Sequence, residues 1–234
     1  MQDLWEAFAA AGALVWSLDR DLVAIVTRSL TITLTALAVS ALISLPLGAA
    51  LALFRFPGRT VIVVALNAFM GLPPVVVGLF VYLLLSRAGP LGTLGLLFTP
   101  TAMVIAQVLL ITPIVAALTQ QTIHDLWQEY RDQLRSFGAG PGRAIPTLLW
   151  EGRFSLLTAL LAGFGRASAE VGAVMIVGGN IDHVTRVMTT AIALETSRGN
   201  LALALGLGLI LIALSTGIAG TAYVLTDMAR RRGA

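Results

Sequence analysis

Residues 29–54 read SLTITLTALAVSALISLPLGAALALF, a run without Asp, Glu, Lys, Arg or His. A helix needs ~20 apolar residues, rising ~1.5 Å each, to cross the ~30 Å hydrocarbon core of a bilayer. The run therefore predicts a membrane span. Working outward, residues 60–86 and 199–226 are equally free of charge. Residues 88–123 are also uncharged, with a helix expected after Pro100, and 154–181 are apolar except for Arg166 and Glu170. Lipid cannot satisfy open backbone groups, so each run is read as a helix. The expected fold is an all-α integral membrane protein with five transmembrane helices.

Composition agrees. The 234 residues are 57% hydrophobic and 12% charged, with mean hydropathy +0.90, whereas soluble domains carry about 25% charged residues. The absence of cysteine excludes disulfides, thiolate catalysis and cysteine-ligated metals. His124 and His183 stand far apart and suggest no metal site, so neither a metal nor a catalytic residue is expected. Every basic side chain is arginine, yet the net charge is only +3, which gives no reason to expect nucleic-acid binding. The N-terminus carries Asp3 and Glu6 where a secretory signal would be positive. Its apolar run, Ala7 to Leu18, is too short to span; Trp5, Phe8 and Trp16 suit a helix at the headgroups, the alternative being a loosely packed leader.

Arginine distribution orients the spans. Segments 55–59, 124–153 and 227–234 hold nine arginines, and segments 1–28, 87–100 and 182–198 hold five. The positive-inside rule places the first set in the cytoplasm, the N-terminus outside and the C-terminus inside. The expected organisation is an extracytoplasmic or interfacial segment 1–28, a transmembrane domain 29–227 containing a cytoplasmic loop 124–153, and a cytoplasmic tail 228–234.

Several positions within the spans stand out. Pro46, Pro113 and the pair Pro73–Pro74 remove backbone donors and bend or break helices. The Pro73–Pro74 break is either a packing kink or an opening beside a water-filled path. Gly165, Ala169 and Ala173 recur at steps of four and predict close helix approach. Arg166 and Glu170 are the only charges inside a span. Arg166 lies twelve residues past Phe154, ~18 Å deep, where charge is costly unless paired or hydrated. At i and i+4 on one helix the two can pair. They are either a structural ion pair or a pathway site in which Arg166 lowers the barrier for a dianion and Glu170 masks it. Asp182, His183 and Arg186 lie between the last two spans, in either a docking surface or an ordinary solvated loop.

The long loop carries the sequence DLWQEYRDQLRSF at 125–137, with Leu126, Tyr130, Leu134 and Phe137 on one helical face. Gly138-Ala139-Gly140-Pro141-Gly142 then stops the helix. The expectation is a short amphipathic cytoplasmic helix, whose apolar face either docks a partner or lies on the membrane.

This loop resembles the cytoplasmic loop of ABC importer permeases, patterned Glu-Ala-Ala, three residues, Gly, nine residues, Ile-x-Leu-Pro. Here Asp132-Gln133-Leu134 precede Gly138 at that spacing, and Leu148-Leu149-Trp150-Glu151 follow, with Glu151 in place of the proline. Leu72-Pro73-Pro74-Val75-Val76-Val77-Gly78 resembles the second-span motif of molybdate and sulfate-type permeases. Arg166-Ala167-Ser168-Ala169-Glu170-Val171-Gly172-Ala173 resembles their Arg-x-x-x-Glu-x-Gly-Ala segment. The stretches from Glu170 to Ile181 and from Thr189 to Ser197 are similar to the tungstate branch of that family. The resemblance covers residues 25 to 225 and implies a type I ABC importer (MetI-like) permease fold.

The resemblance further implies a pore of two identical copies in a bacterial or archaeal cytoplasmic membrane. Two ABC ATPase subunits would grip the loops and an extracytoplasmic binding protein would deliver the oxyanion. The chain would hold no cofactor, ATP and Mg being bound by the ATPases, and would do no chemistry itself. Asp132 to Arg143 would form the coupling helix. Tyr130, Leu134 and Phe137 would give apolar contact, Arg131, Arg135 and Arg143 polar contact, and Gly138 and Gly140 the turn. The competing readings are an ion-coupled carrier or channel relaying charge through Arg166 and Glu170, and a membrane-embedded enzyme. The enzyme reading finds no Cys, His pair or intramembrane Asp pair to work with.

Overall fold

The computed structural model describes Gly12, Trp16 and residues 20–233, of which 225–227 and 229–233 by backbone alone. Trp5 and Phe8 lie outside the described residues; Trp16 is helical and 90% exposed. The helices are α1 (Arg20–Leu53), α2 (Arg59–Phe69), α3 (Pro74–Leu85), α4 (Pro100–Ser136), α5 (Pro141–Glu151), α6 (Arg153–Ser168), α7 (Gly172–Gly178), α8 (Met188–Ser197) and α9 (Leu201–Gly233). No strand occurs among the described residues.

Three helices, α1, α4 and the Leu201–Val224 part of α9, are long and apolar enough to cross a membrane. The count rises to five if the interrupted pairs α2/α3 and α6/α7 each form one span. The interruptions fall where the sequence forbids a continuous helix or leaves it weak. At 70–73 the chain meets Pro73–Pro74, which have no N–H to bond back to the preceding turn. Pro46 and Pro113, by contrast, sit inside continuous helices. The Ser44 hydroxyl donates to the Thr112 carbonyl at 3.2 Å, a link from α1 to α4 next to Pro113.

The chain divides into two compact units. One gathers the chain up to Thr35, Pro74–Gln107 and the chain from Ser168 onward; the other holds Ala36–Pro73 and Val108–Ala167.

In the first unit α3 packs on α7 and α8 on α9. Leu22, Ile25, Met188, Ala191 and Leu207 form one of its buried clusters. The loop before α4 is folded back: Phe98 N–H donates to the Val177 carbonyl at 2.9 Å, and its ring meets Tyr82 edge-on at 6.3 Å. Gly179, at φ +70°, lies so close that a Cβ there would stand 2.8 Å from the Phe98 ring.

In the second unit α1 and α4 approach at Gly48, where a Cβ would lie 2.6 Å from the Ala116 carbonyl oxygen. Gly163 on α6 admits Ile111 and Val115 in the same way, at 2.7 and 2.9 Å. The expected stripe of Gly165, Ala169 and Ala173 does not share one helix. A Cβ on Gly165 would meet nothing within 4 Å, Ala169 falls in the interruption and Ala173 belongs to α7.

Candidate functional site

The most fully built feature of the second unit is the corner between α4 and α5. Residues 125–137 are not a separate short helix. They continue α4, whose 37 residues run unbroken from Pro100 to Ser136. The reason is that the apolar face of 126–134 is contiguous with the buried face of the span. Leu126, Trp127, Tyr130 and Leu134 pack against Ala49, Ala52, Leu53, Ile123, Ala144 and Leu148. Phe137 leaves that face and is 78% exposed.

Gly138 ends α4 in the left-handed conformation, at φ +74°. Ala139 N–H donates to the Leu134 carbonyl and Gly138 N–H to the Arg135 carbonyl, both at 2.9 Å. This is the Schellman pattern, which satisfies carbonyls left over at a helix end. Gly140 then caps α5 and Pro141 opens it, where its missing N–H costs nothing. Asp132 to Arg143 are thus a helix end, a tight turn and a helix start rather than one helix.

The two helices enclose a groove of ≈ 290 Å³ lined by Tyr130, Gln133, Leu134, Phe137, Thr147, Leu148 and Glu151. Glu129 raises the Tyr130 phenol above its ordinary value, first by accepting its hydrogen bond and then by its charge, so the phenol stays neutral. Arg131 pairs with the exposed Asp132 at 3.4 Å, Arg135 lies 5.9 Å over the Trp127 ring, and Arg143 is exposed. The corner therefore offers a largely apolar slot with Gln133 and Glu151 in its walls, and Arg131, Arg135 and Arg143 are not among its lining residues. The expected face of Tyr130, Leu134 and Phe137 does meet at this slot. Its second wall, Thr147, Leu148 and Glu151, was missed in the sequence, although Ala144 and Leu148 at i and i+4 mark the buried face of α5.

Arg166 and Glu170 are placed differently from the i, i+4 expectation. The helix that such a pair needs ends at Ser168. Arg166, half-buried in the second unit, donates through Nη2 to the Leu72 carbonyl at 3.3 Å, directly before Pro73–Pro74. Its Nε is buried without a partner. Glu170, buried in the first unit, accepts through Oε1 from Ala173 N–H at 3.0 Å, in the first turn of α7. Its own carbonyl accepts from the Thr189 hydroxyl at 2.8 Å. Ion pairs are found elsewhere, at Arg131–Asp132, Asp182–Arg186 and Glu195–Arg198. Asp182 and Arg186 pair at 3.0 Å, and Arg28 fastens their loop by donating to the carbonyls of His183 and Arg186 at 2.7 and 3.2 Å.

Helices of this length and apolarity define a multi-pass membrane protein. No protein-family model matches the chain. The tungstate uptake system permease TupB of Peptoclostridium acidaminophilum is 39% identical over 227 residues, covering 97% of this chain and the whole of that protein. A probable anion ABC transporter permease of Haloferax volcanii is 41% identical over 202 residues, 84% of this chain and 87% of that one. TupB of Campylobacter jejuni is 41% identical over 159 residues, 68% of this chain and 66% of that protein. The chain belongs to the anion ABC transporter permease family.

Proposed function

We propose that this chain is the pore-forming subunit of an ATP-driven importer carrying an oxyanion, tungstate foremost, into the cell. In this reading the chain has five spans, and the arginine distribution puts the N-terminus outside, the loop 124–153 inside and residues 228–234 in a cytoplasmic tail. Two copies form the pore in a bacterial or archaeal cytoplasmic membrane, and an extracytoplasmic binding protein supplies the anion. Two ATPase subunits hold ATP and Mg, so the chain carries no cofactor and does no chemistry. The identity to tungstate permeases over nearly the whole chain supports the substrate.

The observation that carries the reading is the groove at the α4–α5 corner. An apolar side chain of the ATPase seated between Tyr130, Leu134 and Phe137 on one wall and Thr147 on the other moves both helix ends together. α4 is continuous for 37 residues, ~55 Å at ~1.5 Å per residue, so displacement at the corner is delivered to the far end of the span. Arg131, Arg135 and Arg143 add contacts at the rim.

The reading is tested by reconstituting the chain with its ATPase and binding protein in proteoliposomes and measuring tungstate entry. Entry that proceeds without ATP sinks it. Phe137→Asp separates docking from folding. The side chain is 78% exposed, so stability is expected to change by no more than ~0.5 kcal/mol. ATPase retention in a pull-down is expected to fall about tenfold or more, as for an aromatic anchor lost from an interface. Retention equal to wild type would remove Phe137 from the docking surface.

A further inference from the structure

Leu72 stands between α2 and α3, outside both. Its N–H donates to the Phe69 carbonyl at 3.2 Å, closing a turn on the preceding helix. No backbone N–H among the described residues donates to its carbonyl. A polar backbone group stranded at membrane depth is costly, so an external donor is needed. Arg166 is that donor, reaching from α6 with Nη2 at 3.3 Å.

The contact is poorly matched on both sides. A guanidinium carries five N–H donors in a planar fork suited to two oxygens of an anion. Here one donor meets a neutral carbonyl at a distance longer than the usual 2.9–3.0 Å, and buried Nε has no partner. A tetrahedral dianion offers what the carbonyl lacks: full charge and adjacent oxygens for a bidentate grip.

We propose that Arg166 and the Leu72 carbonyl form an anion-operated latch. An oxyanion that reaches the guanidinium takes the donor from Leu72 and releases the 70–73 turn; when the anion leaves, the carbonyl takes the donor back. The released carbonyl is a penalty set against anion binding. The site therefore holds its ion weakly, as conduction requires. Arg166 acts on the turn as a positioning residue and on the ion as a transient ligand. The latch rests on the oxyanion-importer reading.

The chain has no cysteine, so Gly71→Cys supplies a single thiol in the turn. A Cβ at Gly71 meets only the Ala68 carbonyl, at an ordinary 3.7 Å. In the complete transporter in lipid nanodiscs, the thiol's reaction rate with a small water-soluble maleimide is measured with sodium tungstate and with sodium chloride at equal ionic strength. Tungstate is expected to raise the rate about tenfold, the worth of one hydrogen bond from a charged donor. With Arg166→Ala added, the rate is expected to be high in both salts. With Arg166→Lys, which keeps the charge but loses the fork, the rise is expected to persist with its midpoint shifted to higher tungstate. A wild-type complex that imports tungstate while the thiol reacts equally in both salts overturns the latch alone. An unshifted midpoint in Arg166→Lys does the same, and it serves if Arg166→Ala does not assemble. A complex that imports no oxyanion overturns the transport reading, and the latch with it.

Discussion

Replacing Gly138 with valine is expected to cut tungstate uptake at least about tenfold while leaving the chain in the membrane. The residue sits at φ +74°. The left-handed conformation costs an L-residue ~1–2 kcal/mol, and for a β-branched one it is a true outlier. A Cβ at this position would find nothing within 4 Å, so the effect is a backbone effect and not a clash. Relieving the strain means giving up the bonds from Ala139 to Leu134 and from Gly138 to Arg135. The direction in which α5 leaves α4 then changes, and the groove walls, Leu134 and Phe137 opposite Thr147, no longer face each other. Asparagine tolerates the left-handed region, so Gly138→Asn is expected to keep most of the uptake, with Gly138→Ala between the two. Uptake, ATPase retention and membrane abundance measured across the series check this order. Valine performing like glycine would mean that the turn does not set the coupling geometry.

The turn was legible in the sequence because its signals are local. Glycine at the left-handed position and proline at the first helical position are properties of single residues in a short window. The charge-free runs were equally local, and they marked the sites of α1, α4 and α9. What sequence periodicity missed depends on tertiary contact. The face of Leu126, Tyr130 and Leu134 reads as an independent amphipathic helix, but a core cluster built on Ala49, Leu53 and Leu148 takes it up and makes it the end of α4. The i, i+4 spacing of Arg166 and Glu170 is real, yet spacing cannot say that the helix ends at Ser168. Nor can it say that Arg166 serves a carbonyl 94 residues away. Small residues at steps of four were likewise ambiguous. Gly165 fits the pattern but has open space where a Cβ would stand, whereas Gly163, two residues earlier, receives Ile111 and Val115.

Gly78→Val is expected to destabilise the first unit strongly by forcing α3 away from α7. Gly78 of α3 and Ala173 of α7 meet where the two helices pack. A Cβ on Gly78 would lie 2.6 Å from the Ala173 Cα, 3.2 Å from its carbonyl oxygen and 3.3 Å from its Cβ. Real contacts of this kind do not fall below 3.0 Å, and the nearest atom is backbone, which cannot rotate away as a side chain can. Ala173 is fully buried, so the helices must separate. Overpacking of this sort costs ~1–3 kcal/mol, occasionally more; alanine belongs within that range and valine above it. Ala173→Gly is expected to restore only part of what Gly78→Ala loses, because it removes the atom at 3.3 Å and leaves the one at 2.6 Å. Gly165→Ala, with open space around its Cβ, is the matched control and is expected to melt as wild type does, within about half a kcal/mol. Thermal unfolding of the detergent-solubilised complex measures all four variants. Complete rescue by Ala173→Gly would show that side chains, and not backbones, set the distance between α3 and α7.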